Sequence, residues 1–365
     1  MRPTYGEAVK FYWHRARATC FCSLSLGARN GKPRGLSQSS ATRVQRGSQV
    51  KWIIPVVAAG LACMAPAAAA AETQGGDAAY AARLGEAMKT ARWTGPLLAS
   101  TPETLPEGHF YTEPYFFDAI QGGKHHPGSS GYYQYGLAEN FTVGFQPSFS
   151  MGVEGPDHSA TIGDFKLLSQ LRLTHFTPEH RVPSIAVVLQ EVIPTGKSDR
   201  LEPTQSGHGS GSFATEVGVN VQHIFLLDND RLLRARFNFL QRFWHGGDVE
   251  DRSVYGTGIG FRGHARPGNI TTFIAAVEYS VTREWVVAFD VTRESATKAK
   301  LRGRYADGGP LVDESFPSTH YVSFAPAVEY NWSDRTGAIF GIWVIPKGHN
   351  VPSSVTPAIA ISRFW

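Results

Sequence analysis

Cysteine is almost absent from this sequence. The chain has three cysteines in 365 residues, and all of them (Cys20, Cys22 and Cys63) lie in its first 63 residues. The rest of the chain can therefore form no disulfide and carries no thiolate for catalysis or metal binding.

Charge and long apolar runs are also scarce. Charged residues make up 18% of the chain, below the roughly 25% of an average protein. The hydrophobic content of 42% is too high for a disordered chain. Beyond an alanine-rich stretch near residue 60, no run approaches the roughly 18 apolar residues of a transmembrane helix. The 38 glycines and 22 prolines disfavour a long-helix or coiled-coil protein.

Acidic residues are nearly missing from the N-terminal part. Residues 1–71 hold ten of the 35 Lys and Arg residues but only one of the 31 acids, Glu7, which leaves 25 basic and 30 acidic residues in the remainder. The net charge of +4 thus hides a basic leader in front of a mildly acidic body. Nucleic-acid binding, which a pI of 8.9 would suggest, is not expected.

The leader ends in the pattern of a secretory signal peptide. Basic residues precede an apolar run within residues 50–71, and small residues end that run before Glu72. This arrangement predicts cleavage after Ala71 and export of the body. A membrane anchor is the alternative, which Pro55 and Pro66 disfavour. We interpret residues 1–49 as a disordered basic extension or a start-site artefact.

Residues 72–108 differ from both the leader and the body. We interpret them as a periplasmic linker, in which residues 77–93 could form a short helix with Tyr80, Leu84, Met88 and Ala91 on one face. The segment could plug a barrel, lie in the periplasm, or act as a flexible tether.

From residue 109 to residue 365 the hydrophobic pattern has a period of two. In residues 231–244, for example, Phe237 and Phe239 share one face while Arg234 and Arg236 share the other. Alternation of this kind predicts half-buried strands. Twelve segments are predicted, over residues 109–118, 131–139, 141–151, 163–176, 183–193, 212–226, 231–245, 270–282, 284–295, 319–332, 336–346 and 355–365.

The connections between these segments alternate between short and long. Five short ones lie near residues 140, 177–181, 227–230, 283 and 333–335, and the longest, over residues 246–269, is predicted as a loop. This sorting is typical of bacterial outer-membrane barrels. We therefore predict an all-β fold, a closed antiparallel transmembrane β-barrel of about 12 strands in an up-and-down meander, with its apolar face toward lipid.

A set of charged and polar residues is predicted to line the lumen and to select solutes. Pairing about the turn at residues 228–230 places Glu216 opposite Arg242 and Gln222 opposite Arg236. The alternative is a salt-bridge network that only stiffens the barrel. The set comprises Lys166, Arg172, Glu216, Gln222, Arg234, Arg236, Arg242, Glu278, Asp290 and Glu329.

Catalytic and metal-binding patterns are not apparent. Histidines in the predicted outer loops (His125, His126, His158, His208 and His264) show no repeated ligand spacing, so neither a metal nor another cofactor is expected. No serine–histidine constellation stands out, so an enzyme is not expected.

Three stretches resemble a known family. Residues 101–118 (TPETLPEGHFYTEPYFFD), 135–144 and 192–196 are similar to the outer-membrane barrel family called MetA-pathway of phenol degradation. The resemblance covers residues 101–365 and implies uptake or transport of aromatic or other small compounds. A structural or adhesion barrel with a sealed lumen, and an outer-membrane lipid hydrolase, are the alternatives.

The C-terminus supplies a further expectation. The chain ends in Arg-Phe-Trp after an alternating segment, which resembles the C-terminal signal of bacterial outer-membrane proteins. The expected partners are therefore small solutes, outer-membrane lipid and the barrel-assembly machinery. The oligomeric state is left open.

Overall fold

The computed structural model describes residues 74–151 and 160–365, apart from residues 204, 206, 307 and 310. The predicted extension and signal peptide (1–49 and 50–71) and His158 lie outside the described residues. The described elements are helix α1 (Gln74–Thr90) and strands β1 (Phe110–Asp118), β2 (Pro127–Ala138), β3 (Phe141–Gln146), β4 (Ser148–Met151), β5 (Ala160–Ile162), β6 (Phe165–Thr174), β7 (Ser184–Ile193), β8 (Phe213–Leu226), β9 (Leu232–Glu250), β10 (Phe261–Arg266), β11 (Ile270–Ser280), β12 (Trp285–Ala296), β13 (Ala299–Tyr305), β14 (Val312–Phe316), β15 (Thr319–Ser333), β16 (Thr336–Ile345) and β17 (Ser354–Phe364).

The sheet closes on itself. Each wall strand pairs antiparallel with the next one along the chain, and β1 pairs with β17, with Tyr115 opposite Ala360. Two wall positions are each filled by two short strands: Pro147 separates β3 from β4, and residues 163–164 separate β5 from β6. Counted by position, the wall has twelve strands in a meander, which confirms the predicted fold class.

The outer loops contain more structure than predicted. Residues 246–269 were predicted as one loop, but β9 continues to Glu250 and β10 follows at Phe261. The end of β9 pairs with β10, β10 pairs with β13, and β13 pairs with β14, which forms a small sheet at the end of the barrel that carries the long connections. The prediction was wrong because backbone groups of long loops still need hydrogen-bond partners, and two loops distant in sequence supply them to each other.

The two faces of the wall differ in chemistry. On β12, Val287 is 50% exposed while Ala288 is 2% exposed, and on β15 the exposed Phe324 precedes the buried Ala325. Phe237 and Phe239 also lie on the outer face, where both pack against Phe273. An apolar outside and a polar inside are the arrangement that a barrel needs in a bilayer. The alternation therefore confirms which face meets lipid.

Helix α1 lies against the end of the barrel where the connections are short, called here the short-turn end. Leu84 is fully buried, and Tyr80, Met88 and Ala91 join it in an apolar cluster with residues of β8 and β9. These are the four residues predicted to share a helix face, although the helix ends at Thr90 rather than at residue 93. Across the part of the chain that the structure describes, no helix is both long and apolar enough to span a membrane.

Candidate functional site: a lumen that holds an N-terminal plug

The chain enters the barrel directly after α1. At the short-turn end, Arg92 Nε donates to Asp334 Oδ1 at 2.6 Å in the turn between β15 and β16. Leu97 and Leu98 are buried in an apolar cluster with inward-facing wall residues such as Ile274 and Ile339. The segment then returns to the short-turn end. We call residues 93–105, which follow α1 and lie inside the barrel, the plug segment. The interpretation of residues 72–108 as a periplasmic linker stays a prediction.

The return leg is held near the turn between β2 and β3. Thr104 Oγ1 donates to the Glu139 carbonyl at 2.7 Å, and the Leu105 N–H donates to Thr142 Oγ1 at 2.8 Å. The plug segment is therefore a hairpin-shaped insertion that starts and ends on one side of the barrel.

A glycine of the wall makes room for the inserted chain. A Cβ atom added at Gly341 would lie 3.0 Å from Leu97 Cδ2 and 2.9 Å from Ala327 Cβ. Any larger residue at position 341 of β16 would therefore compete with Leu97 for space inside the lumen.

Two lumen carboxylates bind the backbone of the plug segment. Asp290 accepts hydrogen bonds from the N–H groups of Leu98 at 3.3 Å and Ala99 at 2.9 Å. Glu329 accepts from the N–H groups of Thr94 at 2.7 Å and Gly95 at 3.0 Å. The inserted chain is neither helix nor strand, so its backbone N–H groups need acceptors from side chains of the wall. The two acids supply acceptors for four N–H groups of the segment, so they act as its anchors.

Uncharged and basic side chains bind the other side of the segment. Asn238 makes two hydrogen bonds with Ser100, and Arg236 Nη1 donates to the Ala99 carbonyl at 3.0 Å. Arg172 Nη1 lies 3.1 Å from Glu103 Oε2, which places an ion pair between the wall and the plug segment. The plug is thus bound from opposite sides of the lumen.

A buried ion cluster lies directly beside the plug. Arg234 pairs with Glu278 through two nitrogens, and Arg236 Nε lies 3.1 Å from the same carboxylate. The Arg234 guanidinium also lies over the Trp93 ring, 4.3 Å from its centroid. Buried charges need partners of this kind because leaving one unpaired is costly.

Further from the plug, the charged pairs connect wall strands only. The register places Glu216 opposite Arg242 and Gln222 opposite Arg236, as the sequence predicted, and the first two residues form an ion pair. Lys166 Nζ donates to Gln146 Oε1 at 3.2 Å.

The ten residues predicted for the lumen therefore fall into two groups. One group contacts the plug segment: Arg172, Gln222, Arg234, Arg236, Asp290 and Glu329. The other group makes side-chain contacts within the wall: Lys166, Glu216, Arg242 and Glu278. The prediction omitted the uncharged partners Asn220, Asn238, Gln170 and Thr142, although all four occur at inward positions of the same alternating strands.

A cavity of about 250 Å³ lies between the plug segment and the wall formed by β1 and β2. The wall contributes the tyrosines Tyr111, Tyr115 and Tyr132 and the carboxylate of Glu113. The rings of Tyr115 and Tyr132 meet edge to face, with centroids 6.3 Å apart. Aromatic surface with a few polar groups is typical of small-molecule sites.

In the described residues, no group of three or more His, Cys, Asp and Glu side chains is arranged to hold a metal ion. The contacts of the lumen residues with the plug segment and with each other include hydrogen bonds, ion pairs and ring contacts.

A closed sheet with an apolar outside and a polar inside is the architecture of bacterial outer-membrane proteins. The protein is accordingly an outer-membrane β-barrel of twelve wall positions.

Comparison with solved structures gives distant neighbours. An outer membrane channel from Pseudomonas putida F1 is 13% identical, with 72% of this chain and 97% of that chain covered and a TM-score of 0.49. The NanC porin is 10% identical, with coverages of 68% and 98% and a TM-score of 0.41. A mutant of the monoaromatic hydrocarbon channel TodX is 14% identical, with coverages of 75% and 95% and a TM-score of 0.38.

No family model and no curated protein matches the chain. The resemblance to the MetA-pathway of phenol degradation family therefore stays a prediction.

Proposed function

We propose that the protein is an outer-membrane channel for small solutes, and that the plug segment narrows its lumen. The observation that carries this proposal is the polar lumen itself, in which side chains such as Asp290 and Asn238 bind an inserted segment through hydrogen bonds and not through a covalent link. Hydrogen bonds to a loop can exchange for bonds to water or solute at modest net cost. A segment held in this way can move aside without unfolding the wall.

The cavity beside the plug supports a substrate class. Its lining combines the rings of Tyr111, Tyr115 and Tyr132 with the amides of Gln134 and Gln170. Rings offer flat apolar contacts, while the Gln134 amide can hydrogen-bond a hydroxyl or carbonyl group of the solute. We infer that small compounds, aromatic ones among them, pass through or bind at this point.

The charged residues of the lumen are given two tasks in this proposal. Asp290, Glu329 and Arg236 hold the plug segment, and Arg236 also places a positive charge beside it. Rings of charged side chains are a common selectivity device in pores. Removing Arg236 should therefore alter both conductance and ion selectivity.

A sealed barrel is the second candidate, and the plug segment is the observation that favours it. Backbone of residues 94–105 is bound on both sides of the lumen, which would block passage if the segment never moved. The barrel would then serve as a structural or adhesion protein. Permeability measurements separate the two functions.

Liposome swelling and single-channel recording test the proposal. Wild-type protein is expected to pass small sugars and phenol-sized aromatics, and Arg236→Ala is expected to raise conductance and reduce anion preference. Arg231→Ala, at an exposed position in the turn between β8 and β9, is the matched control and should behave as wild type. Vesicles that swell no faster than protein-free ones, with and without the Arg236 substitution, would favour the sealed barrel.

We also propose that the barrel-assembly machinery recognises the last strand, β17. Trp365 is 57% exposed, and its N–H donates to the Phe110 carbonyl at 2.9 Å, at the seam where β17 meets β1. Replacing Trp365 with Ser should lower the yield of assembled barrel in cells, whereas refolding of the purified variant into detergent should proceed as for wild type.

A further inference from the structure

One face of the small outer sheet is strongly basic. In the pairing of β10 with β13, Arg262 lies opposite Arg304, His264 opposite Arg302, and Arg266 opposite Lys300. All six side chains are exposed. We call the five Lys and Arg residues among them the basic strip: Arg262, Arg266, Lys300, Arg302 and Arg304.

Acidic residues compensate only a small part of this charge. Arg302 pairs with Asp313 at 3.1 Å, and Arg266 Nε donates to the Trp244 carbonyl at 3.3 Å. In the described part of the chain, no carboxylate forms an ion pair with Arg262, Lys300 or Arg304. Like charges placed directly opposite each other in a sheet are destabilising. An anion bound on this exposed face would relieve that repulsion.

The neighbouring strand β9 contributes two acids to this face. Glu250 lies opposite Arg262 in the register, but its carboxylate pairs with Arg200 at 2.6 Å. Asp248 Oδ1 lies 3.1 Å from His264 Nδ1, and its carboxylate offsets one of the five basic charges. The face therefore keeps a positive field around the Arg262–Arg304 and Arg266–Lys300 positions.

The opposite face of the same sheet packs against the outer loops. Phe261, Ala265 and Leu301 are buried there in one cluster with Tyr255, whose hydroxyl donates to the Ser210 carbonyl in the loop between β7 and β8. The basic strip lies on the side away from this cluster, so it faces outward.

The strip also continues the lipid-facing wall. Strand β9 runs without interruption from the barrel into the small sheet, and its lipid-facing Phe243 is 44% exposed. On β12, the exposed apolar residues Val287 and Phe289 are followed toward the same end by the exposed Arg293. Basic side chains directly beyond an apolar belt lie at the depth of lipid headgroups.

We propose that the basic strip binds the phosphate groups of lipopolysaccharide in the outer leaflet. Guanidinium groups bind phosphate through two parallel hydrogen bonds, which makes arginine well suited to this ligand. The acyl chains of the same molecule can pack on the belt below, beside Phe243 and Phe289. A soluble polyanion could bind the basic strip but has no acyl chains to pack on the apolar belt. A lipid with phosphate groups can make both contacts.

Lipid binding to the purified full-length protein in detergent tests the proposal. Bisphosphorylated lipid A is the probe, dephosphorylated lipid A is its control, and native mass spectrometry reports the bound fraction. The variant R262Q/R266Q/K300Q/R304Q should bind bisphosphorylated lipid A about fivefold more weakly for each charge removed. Added salt should weaken wild-type binding. K347Q, which removes an exposed lysine from the outer loop between β16 and β17, should bind as wild type.

Equal binding of lipid A by wild type and the quadruple variant would overturn the proposal. So would equal binding of phosphorylated and dephosphorylated lipid A, or full displacement of lipid A by equimolar inorganic phosphate. Because neutralisation removes like-charge repulsion, the variant should unfold at no lower guanidinium concentration than wild type. Should the quadruple variant fail to fold, the double variant R262Q/R304Q should still bind lipid A more weakly than wild type. Unchanged binding by the double variant would contradict the proposal.

Discussion

Asn238 and Ser100 make a reciprocal pair of hydrogen bonds inside the lumen. Asn238 Oδ1 accepts from the Ser100 N–H at 2.8 Å, and Asn238 Nδ2 donates to the Ser100 carbonyl at 2.9 Å. A single side-chain amide thus satisfies both backbone groups of Ser100, much as a neighbouring strand would. This pair adds to the contacts that Asp290 and Glu329 make with the backbone of the plug segment.

Replacing Asn238 with Leu should loosen the plug segment. The variant leaves the N–H and carbonyl of Ser100 without this partner, at a cost of about 1–3 kcal/mol. Hydrogen exchange followed by mass spectrometry should show faster exchange in a peptide that spans residues 97–105.

Gln241→Leu is the matched control, because Gln241 lies on the same strand but bonds to Thr271 and the Ile270 carbonyl of β11. Exchange of the plug peptide should not change in this control. Equal exchange in the Asn238 variant and wild type would show that the pair contributes nothing to plug binding.

Removing Glu278 should strongly destabilise the barrel. Its carboxylate is fully buried and binds both Arg234 and Arg236, so Glu278→Ala deprives two buried guanidinium groups of the carboxylate that they share. The expected loss in the free energy of unfolding is about 3–5 kcal/mol.

Guanidinium unfolding in lipid vesicles measures that loss. Glu179→Ala, at an exposed position in the turn between β6 and β7, should change the unfolding free energy by less than about 0.5 kcal/mol. A Glu278 variant as stable as this control would mean that the ion cluster does not support the wall.

An arginine in the lipid-facing belt should be costly in a depth-dependent way. Val287 lies in the belt and is 50% exposed, whereas Val281 lies at the turn between β11 and β12 and is 40% exposed. Val287→Arg should lower the free energy of unfolding in vesicles by about 2–4 kcal/mol, and Val281→Arg by about 0–1 kcal/mol. Equal costs at the two positions would contradict the assignment of the belt.

Acid should break the contact between Asp334 and Arg92, which directly precedes the plug segment, only at low pH. The hydrogen bond and charge of Arg92 lower the pKa of Asp334 below its ordinary value of 3.8. Because the folded-state pKa is depressed, the contribution of this pair is present above the ordinary value and is lost as pH falls through the folded-state pKa.

A spin label on a cysteine introduced at Lys89 reports this change. Its mobility should stay constant from pH 8 to pH 5 and rise only at lower pH. Asp334→Asn should show the raised mobility throughout the range, since it cannot carry the charge. A change in spin-label mobility near neutral pH in wild type would show that a group other than Asp334 controls the position of this part of the chain.

The wall of the barrel was largely predictable from local patterns. Alternation in residues 231–244 separates Phe237 from Arg236 because successive side chains of a strand point to opposite faces. The short turn at residues 228–230 sets the register of β8 with β9, which is why the pairing of Glu216 with Arg242 could be counted in advance. Strand faces and neighbouring registers depend on residues close in sequence.

Long-range features could not be predicted in this way. The hydrogen bonds that the N–H groups of Ser100 and Ala99 donate to Asn238 and Asp290 join residues separated by 138 and 191 positions. An alternating pattern shows that Asp290 points inward, but it does not identify the group that the carboxylate binds. The same holds for the basic strip, where Arg262 meets Arg304 only because two outer loops pair with each other.

The amino-acid sequence by itself determined the strand period, the lipid-facing side and the order of the wall, because bilayer and backbone impose them on each segment locally. Only the tertiary structure decided what fills the lumen and what lies outside it. Those contacts form because the closed wall brings together segments that are far apart in the sequence, and a local hydrophobic pattern carries no information about such long-range contacts.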